Sequence, residues 1–306
     1  MCAKLQFQIE ETTRKNRLDR FLFEQITEVS KIFISNKIDE GFCRINGEIA
    51  RRGYHLQRGD VVEIEVDLSA RTSMTPEDLP LEIIFEDDEI IVVNKPPEML
   101  IHPSLSQKTG TLLNALAYYL NRESLNSESE ISESRNPKIK IIRPGLVHRL
   151  DRKTSGLTVV AKTSNALGFL SRHFQKRLVK KKYLAIVRGT VAEDSGTIHA
   201  PIGYFAEEKI WNVKADGKEA ETNFCVLERF FGSTLLELEP VTGRTNQLRI
   251  HCASINHPIA GDERYGGNEY PRLCLHAAKL GFYHPSTNVW REFQSPPSFD
   301  VKAFSE

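Results

Sequence analysis

A single acidic residue stands among cations in residues 145–157. Asp151 is flanked by Arg149, Arg152 and Lys153, and cations on both sides favour the ionised form of a carboxyl group. The same charges would attract an anion, so a nucleophilic carboxylate would meet a phosphate-bearing substrate here. A surface turn with local ion pairs explains the segment equally well. On these residues alone, both interpretations stay open.

A second segment that could take part in catalysis or binding covers residues 240–251. Thr245 is placed to cap a helix from which Gln247 and Arg249 would project. A guanidinium there could hold a carboxylate or a phosphate through two hydrogen bonds. An amphipathic helix with a solvated arginine is the commoner outcome when such a segment stands alone.

The charges of the 306-residue chain are unevenly placed, although its net charge is zero. Residues 134–182 hold 14 Lys and Arg against one acid, Asp151, whereas residues 76–89 hold seven acids and no base. Such a basic stretch predicts a surface for a polyanion. A solvated face balanced by acids elsewhere in the fold is as compatible with the charge alone.

Composition argues against several other classes of protein. The apolar runs are far shorter than the roughly 20 residues that span a bilayer, and residues 1–10 lack the pattern of a secretory signal. We therefore expect a cytoplasmic protein without a membrane segment. Five cysteines without a C-x-x-C pair and nine histidines without an H-E-x-x-H pair indicate neither a disulfide framework nor a metal site.

The first part of the chain is predicted to form a small ααβ domain over residues 15–70, after a tail of residues 1–14. Asn16 can cap a first helix and Ser30 can open a second. Asn46-Gly47 between two apolar stretches is a strong hairpin signal.

The rest of the chain is predicted to form a strand-rich domain over residues 81–306. A linker over residues 71–80 precedes it, and a polar insertion without periodicity lies near residues 121–137. Because strands outnumber helices and rarely alternate with them one for one, the predicted fold class is α+β.

The residues around Asp151 form a long fixed string, His148-Arg149-Leu150-Asp151-x-x-Thr154-Ser155-Gly156-Leu157. This string is similar to the signature H-R-L-D-x-x-T-S-G-L, and through it the chain resembles the RluA/RluD-type family of RNA pseudouridine synthases. Other stretches that resemble the family follow in the same order: Asn94-Lys95-Pro96, His102-Pro103, Lys182-Tyr183-x-Ala185, Gly243-Arg244-Thr245, Leu275-His276-Ala277 and His284-Pro285.

The residues before these stretches resemble a second family, the RNA-binding domain named for ribosomal small-subunit protein four. The resemblance rests on Arg17-Leu18-Asp19, Ile45-Asn46-Gly47 and Leu56-x-x-Gly59-Asp60. It implies that residues 15–70 bind RNA.

The resemblance to the synthases implies roles for individual residues. Asp151 matches an essential aspartate, Tyr183 a tyrosine that packs on the uracil, and Arg249 a basic residue that pairs with the aspartate. Arg149 matches an arginine that helps to hold the target base out of the helix. By its type alone, Tyr183 would be an ordinary strand aromatic. The other residues predicted to contact RNA are His148, Arg152, Lys153, Lys181, Lys182 and Arg244.

Two positions depart from the family pattern. Asn246 stands where the family commonly has His in T-H-Q-I-R, and Glu98 stands where Gly is usual after N-K-P-P. Because the three catalytic candidates are present, activity remains the expectation. Because Glu98 replaces this Gly, the sequence does not predict the conformation of the loop before His102.

The implied function is the isomerisation of uridine to pseudouridine in RNA. The implied fold of the catalytic domain is built on a mixed, mainly antiparallel sheet. This reaction needs no redox change or external group, so neither a cofactor nor a metal is expected, and the chain has no phosphate-loop or dinucleotide fingerprint. The implied partner is large-subunit ribosomal RNA, with transfer RNA as the alternative, and the chain is expected to be a monomer.

Two rival functions remain at the level of the sequence. A non-catalytic RNA-binding or ribosome-assembly factor is supported by Asn246 and Glu98 only. A glycoside hydrolase would need two carboxylates that work as a pair, and the signature offers one.

Overall fold

The computed structural model describes residues 2–10, 17–26, 31–67, 75–104, 106–123 and 142–304. The chain divides into two compact units, residues 1–79 with 102–141, and residues 80–101 with 142–306. The predicted domain boundaries would place residues 102–141 in the second unit. They belong to the first because the Asn114 amide donates to the Thr75 carbonyl at 2.8 Å and the Gly110 N–H donates to the Glu77 carboxylate at 2.6 Å.

The first unit contains a four-stranded antiparallel sheet and three helices. Its elements are β1 (Cys2–Gln8), α1 (Leu18–Gln25), α2 (Lys31–Asp39), β2 (Cys43–Ile45), β3 (Glu48–Ile49), β4 (Val61–Asp67) and α3 (Leu112–Tyr119). The strand order is β1-β4-β2-β3. Leu18 and Leu22 of α1, Ile34 of α2 and Ile64 of β4 are fully buried in its core.

The prediction of a tail over residues 1–14 is wrong where β1 lies. This strand pairs with β4 along its whole length, and Leu5 and Phe7 pack against the core. Leu5, Phe7 and Ile9 alternate with polar residues, and this period of two is a strand signal. Asn16, Ser30, residues 71–74 of the predicted linker and residues 124–137 of the predicted polar insertion lie outside the described residues.

The hairpin predicted at Asn46-Gly47 is confirmed. Both residues have a positive φ, 52° and 87°, and they join β2 to β3. Asn and Gly tolerate this left-handed backbone, which explains the strength of the signal.

The second unit is built on a ten-stranded sheet. Its strands are β5 (Glu82–Glu86), β6 (Ile90–Lys95), β7 (Gly145–Leu146), β8 (Ser155–Ala161), β9 (Lys180–Arg188), β10 (Ser195–His199), β13 (Glu221–Phe230), β14 (Ser233–Pro240), β15 (Leu275–Tyr283) and β16 (Trp290–Gln294). The other elements are the hairpin of β11 (Ile202–Phe205) and β12 (Ile210–Val213), the helices α4 (Ser164–Gln175) and α5 (Gln247–Ser254), and two short 3₁₀ helices, Glu263–Tyr265 and Lys302–Phe304.

The order across this sheet is β10-β13-β14-β9-β15-β8-β6-β5, with β7 paired to β8 and β16 paired to β15. Neighbours are antiparallel except β8 and β15, which run parallel. The prediction of an α+β fold on a mixed, mainly antiparallel sheet is confirmed. No helix in the described part of the chain is long and apolar enough to cross a membrane.

The middle of this sheet is completely buried. All seven residues of β8 are buried, and Ile90, Val92 and Val159 have no exposed surface. Ala166 and Leu170 of α4 pack on this region. The rigid centre of the sheet therefore holds the loops that enter β8 and leave β6.

Gly156 should be the least replaceable residue of the β8–β15 junction. It has φ +115°, and a Cβ atom there would lie 2.4 Å from the carbonyl oxygen of Ala277. We expect Gly156→Ala to lower the free energy of unfolding by at least about 3 kcal/mol, through strain and lost strand pairing. Gly243→Ala is the matched control, because nothing lies within 4 Å of that position. Denaturant unfolding of both variants measures the difference, and equal midpoints would contradict the expectation.

Candidate active site

Asp151 lies in the loop between β7 and β8. A turn in which the Thr154 N–H donates to the Asp151 carbonyl at 3.2 Å leads directly into the buried strand. The Asp151 side chain keeps 34% of its surface exposed. The carboxylate is therefore held by a rigid element and is still open to a substrate.

Arg249, on α5, is the cation that faces Asp151 most directly. Its Nη1 lies 3.8 Å from Oδ2 of Asp151. Its tighter partner is Asp262, which accepts from Nε and Nη2 at 2.7 Å each. The pairing of Arg249 with Asp151 that the resemblance implies is thus the longer of two contacts. Asp262 is 1% exposed, so it fixes the guanidinium from the buried side.

Two further side chains hold Arg249 in place. Its guanidinium lies 4.9 Å from the centre of the Tyr265 ring, and its Nη1 donates to Oδ1 of Asn246 at 3.2 Å. The Asn246 amide also donates to the Tyr265 hydroxyl at 3.1 Å. Asn246, which replaces the family's common His, therefore ties Arg249 to Tyr265.

The prediction that Thr245 caps α5 is wrong. The capping position is Asn246, whose φ is 54° and whose side chain makes no capping hydrogen bond. Asn visits this left-handed region more readily than most residues. Its amide is free to bind Arg249 and Tyr265 because it does not cap the helix.

Lys95, the last residue of β6, connects two loops at the site. Its side chain is fully buried, and its ammonium donates to the carbonyls of Pro96, Met99 and Arg152 at 2.7, 2.9 and 3.1 Å. Burial and the charge of Arg272 lower the pKa of Lys95 to about 7. Lys95 fixes the backbone next to Asp151 from below the loop.

Tyr183 lies on β9 and is buried. Burial, and then the charge of Asp151, raise the pKa of its phenol. The hydroxyl therefore stays protonated, and Tyr183 is a neutral residue within electrostatic reach of Asp151.

Opposing influences act on the Asp151 carboxyl. Burial has the largest effect and raises its pKa. Arg249 has the next largest effect and lowers the pKa. Asp262 raises it, and Arg149 and Lys95 lower it. The net direction is upwards. The cations therefore offset only part of the effect of burial on this pKa. They still favour the ionised form of the half-buried Asp151 carboxyl group.

His148 is held by protein contacts, and its contact with RNA stays a prediction. Its Nε2 accepts hydrogen bonds from the Val159 N–H at 3.1 Å and the Thr158 hydroxyl at 3.0 Å. The ring stacks on Phe174 with centroids 4.7 Å apart. Burial and the charge of Lys181 lower the pKa of His148 to about 3. The imidazole is a neutral anchor between the loop and β8.

The two predicted lysines of β9 differ in role because neighbouring residues of a strand face opposite sides. Lys182 points away from Tyr183 and forms an ion pair with Glu237, and its contact with RNA stays a prediction. Lys181 shares the face of Tyr183 and is half-buried. Burial lowers the pKa of Lys181.

The remaining predicted RNA contacts reach the surface of the second unit. Arg152 is 55% exposed and contacts Glu98, and Lys153 is 38% exposed and lies 3.7 Å from Glu263. Arg149 is exposed. Arg244 donates to the Glu219 carbonyl at 3.0 Å.

Three residues of the site had no assigned role in the sequence: Lys95, Asp262 and Tyr265. Their only signal was membership of short stretches near the matched motifs, Asn94-Lys95-Pro96 and Gly261-Asp262 with Tyr265-Gly266. Within the described ranges, no group of three or more His, Cys, Asp or Glu side chains could hold a metal ion.

Comparison with known proteins identifies the class to which this arrangement belongs. The sequence profile of the RNA pseudouridylate synthases matches residues 89–254, a range that includes Lys95, Asp151, Tyr183 and Arg249. The chain belongs to the RNA pseudouridylate synthase family. It is therefore an enzyme, an RNA pseudouridine synthase, and neither the glycoside hydrolase nor the non-catalytic factor is supported.

The relatives of the synthase match it over nearly its whole length. It is 36% identical to an uncharacterised RNA pseudouridine synthase of Bacillus subtilis, covering 97% of this chain and 95% of that protein. It is 35% identical to ribosomal large subunit pseudouridine synthase D of Vibrio cholerae, with 96% and 91% covered. Human RNA pseudouridylate synthase domain containing 1 has a similar structure, with a TM-score of 0.58, 28% identity, and 74% and 87% of the two chains covered.

Glu98 shows how the synthase accommodates its departure from the family pattern. Its φ is 61°, a left-handed conformation that costs a non-glycine residue roughly 1–2 kcal/mol. Arg152 donates to the Glu98 carbonyl at 3.2 Å, and the two side chains pair at 3.5 Å. The loop thus keeps the backbone form that glycine would favour, and Arg152 holds it.

Acid should destabilise the synthase through two histidines. Burial lowers the pKa of His148 to about 3 and that of His276 to about 4, from 6.5. Below pH 6.5 the unfolded chain therefore binds more protons than the folded chain, so acid favours unfolding. This contribution to stability is complete above pH 6.5 and is lost as the pH falls towards 3.

The measurement is the denaturant midpoint at several pH values between 7 and 4.5. We expect the midpoint of the natural sequence to fall steadily, and that of His148→Gln to fall less steeply because one of the two groups is gone. Identical slopes in the two proteins would show that His148 does not contribute.

Proposed function

We propose that this synthase isomerises uridines of large-subunit ribosomal RNA and that Asp151 is its nucleophile. The observation that carries the chemistry is an accessible carboxylate on a rigid loop, 3.8 Å from an arginine that is itself fixed by a buried carboxylate. The substrate is supported by relatives in Vibrio cholerae and Vibrio parahaemolyticus, which are named ribosomal large subunit pseudouridine synthases D and C.

The reaction exchanges one bond of the nucleotide for another. The bond from ribose C1′ to uracil N1 breaks, the base turns, and C1′ bonds to C5. The hydrogen leaves C5 and N1 gains one, so the atoms of the nucleotide are conserved. In this proposal Asp151 attacks the nucleotide as a carboxylate and is released unchanged. Arg249 keeps Asp151 ionised, and Tyr183 packs against the base while it turns.

The target uridine must leave its stack to reach Asp151. Extrusion costs a few kcal/mol and costs least in a loop or next to a mismatch. Arg149, exposed beside Asp151, is suited to the space that the base leaves. The exposed Arg152 and the partly exposed Lys153 and Arg244 are suited to phosphates, which give affinity without sequence choice.

We assign RNA binding also to the first unit, as a domain like that of ribosomal small-subunit protein four. Its exposed cations include Arg44, Arg51 and Arg58. They would add non-specific affinity that decreases with salt.

Pseudouridine mapping in the source organism tests the proposal. Ribosomal and transfer RNA from a strain without the gene are compared with RNA from its parent and from the deletion strain carrying either the natural gene or the Asp151→Asn gene. We expect pseudouridines of large-subunit RNA to disappear and to return only with the natural gene. Loss confined to transfer RNA would overturn the proposed substrate, and restoration by Asp151→Asn would overturn the proposed nucleophile.

A further inference from the structure

An aromatic surface lies at the end of the β15–β16 hairpin, outside the site described above. Tyr283 and Trp290 are cross-strand partners, each 39% exposed, with ring centroids 5.2 Å apart. The His173 ring of α4 lies 6.2 Å from that of Tyr283. Val289, beside Trp290, is 54% exposed. We call Tyr283, Trp290 and His173 the aromatic platform.

The indole of Trp290 lies close to the backbone of Gly281. A Cβ atom on Gly281 would lie 2.5 Å from Cζ2 of Trp290, so only glycine leaves room for the indole there. Trp290 is nevertheless partly exposed, and exposed aromatic rings are the surfaces on which proteins stack nucleobases.

Cations border the aromatic platform on the side of β9. The Leu178 N–H donates to the His173 carbonyl at 2.9 Å, which places the turn of Lys176 and Arg177 next to His173. Lys180 is the cross-strand partner of Gly281. All three cations are exposed. Glu292, the acid opposite Gly281, is paired with Lys279 at 3.2 Å.

We propose that the aromatic platform and these three cations bind a single-stranded segment of the RNA substrate. A base stacks on Trp290, and the neighbouring phosphates meet Lys176, Arg177 and Lys180. Single strands expose the faces of their bases, whereas a duplex hides them. Lys180 and Tyr183 are three residues apart on β9, and this odd separation puts Lys180 on the face opposite to Tyr183. The segment on the platform is therefore distinct from the nucleotides that surround the target uridine.

This assignment goes beyond the proposed function, which places RNA only around Asp151. Charge favours a polyanion as the occupant of the platform. Base stacking explains the exposed rings, which phosphate contacts alone do not require. A protein partner is the competing occupant, and it would not distinguish a single strand from a duplex.

Trp290 itself can report on binding. The chain has two tryptophans, Trp211 and Trp290, so Trp211→Phe leaves Trp290 as the only indole. The probes are a 12-nucleotide oligouridylate and a 12-base-pair RNA duplex. We expect the single strand to quench Trp290 fluorescence and the duplex to quench it much less. Equal quenching by both, or none by the single strand, would overturn the proposal.

Substitution provides a second test. We expect Trp290→Ala to weaken oligouridylate binding about tenfold and to raise KM for substrate RNA with kcat unchanged, while Trp290→Phe keeps most of the affinity. Phe231→Ala is the matched control, since Phe231 is 96% exposed on the β13–β14 turn. Lys180→Gln should reduce the slope of log affinity against log salt by about one. Unchanged affinity in folded Trp290→Ala protein would overturn the proposal, whatever the outcome for Asp151.

Discussion

Asp151→Asn should abolish pseudouridine formation and leave RNA binding within about twofold of the natural sequence. The amide has the size of the carboxylate and is a far weaker nucleophile, so we expect the rate to fall by at least about a thousandfold. Binding should persist because it depends mainly on surface cations. Arg249 keeps its partner in the variant, since Asp262 holds it through two hydrogen bonds.

The measurement is the release of tritium from RNA labelled at uracil C5, under single-turnover conditions, with binding measured in parallel. Tritium leaves because C5 loses its hydrogen when it bonds to ribose. Asp216→Asn is the control, because the Asp216 side chain is 76% exposed and contacts Lys214. A rate within tenfold of the natural enzyme would exclude Asp151 as the nucleophile.

The same assay should show the effect of burial on Asp151. Burial raises the pKa of Asp151 above that of an ordinary aspartate side chain, and attack needs the ionised form. The single-turnover rate should therefore fall on acidification, with a midpoint above the ordinary aspartate value of 3.8.

Asp262→Asn should produce the largest loss of stability in the site. Arg249 and Asp262 are 10% and 1% exposed, and removing one member of a buried pair leaves an uncompensated charge. Such changes cost about 3–5 kcal/mol. Activity should fall as well, because Arg249 would lose the partner that fixes it near Asp151.

A double variant separates the two effects. Replacing both members in Arg249→Met with Asp262→Leu removes both buried charges, and such replacements are often nearly neutral in stability. We expect the double variant to be more stable than Asp262→Asn and to remain inactive. Denaturant unfolding and tritium release measure the two properties. A cost below about 1 kcal/mol for Asp262→Asn would show that the pair is not desolvated as its burial implies.

Local features of this protein could be predicted from its sequence. The Asn46-Gly47 hairpin depends on two residues that accept a positive φ, and its signal is contained in those residues. The α+β class follows from the number and spacing of apolar runs. The string around Asp151 identified the loop because the residues lie side by side in the chain.

Contacts between distant segments could not be predicted in the same way. Lys95 meets the carbonyl of Arg152 across 57 residues, and Asp262 meets Arg249 from beyond the end of α5. No pattern in either segment encodes its partner. The contacts of His148 with β8 and of Lys182 with Glu237 could not be predicted either, because a basic stretch does not show which side chains the sheet turns inwards.

The position of β15 determines how much of the chain must be synthesised before the active site can form. This strand lies between β8 and β9, yet it comes after every proposed catalytic residue in the chain, and its pairing of His276 with Ser155 closes a long loop. Such distant pairings form slowly. Until residues 275–283 have left the ribosome, β8, which follows the loop of Asp151, and β9, which carries Tyr183, lack the strand that pairs with both. Protein ending at residue 270 should therefore release no tritium, and measurable release from it would show that the two halves assemble without their connecting strand.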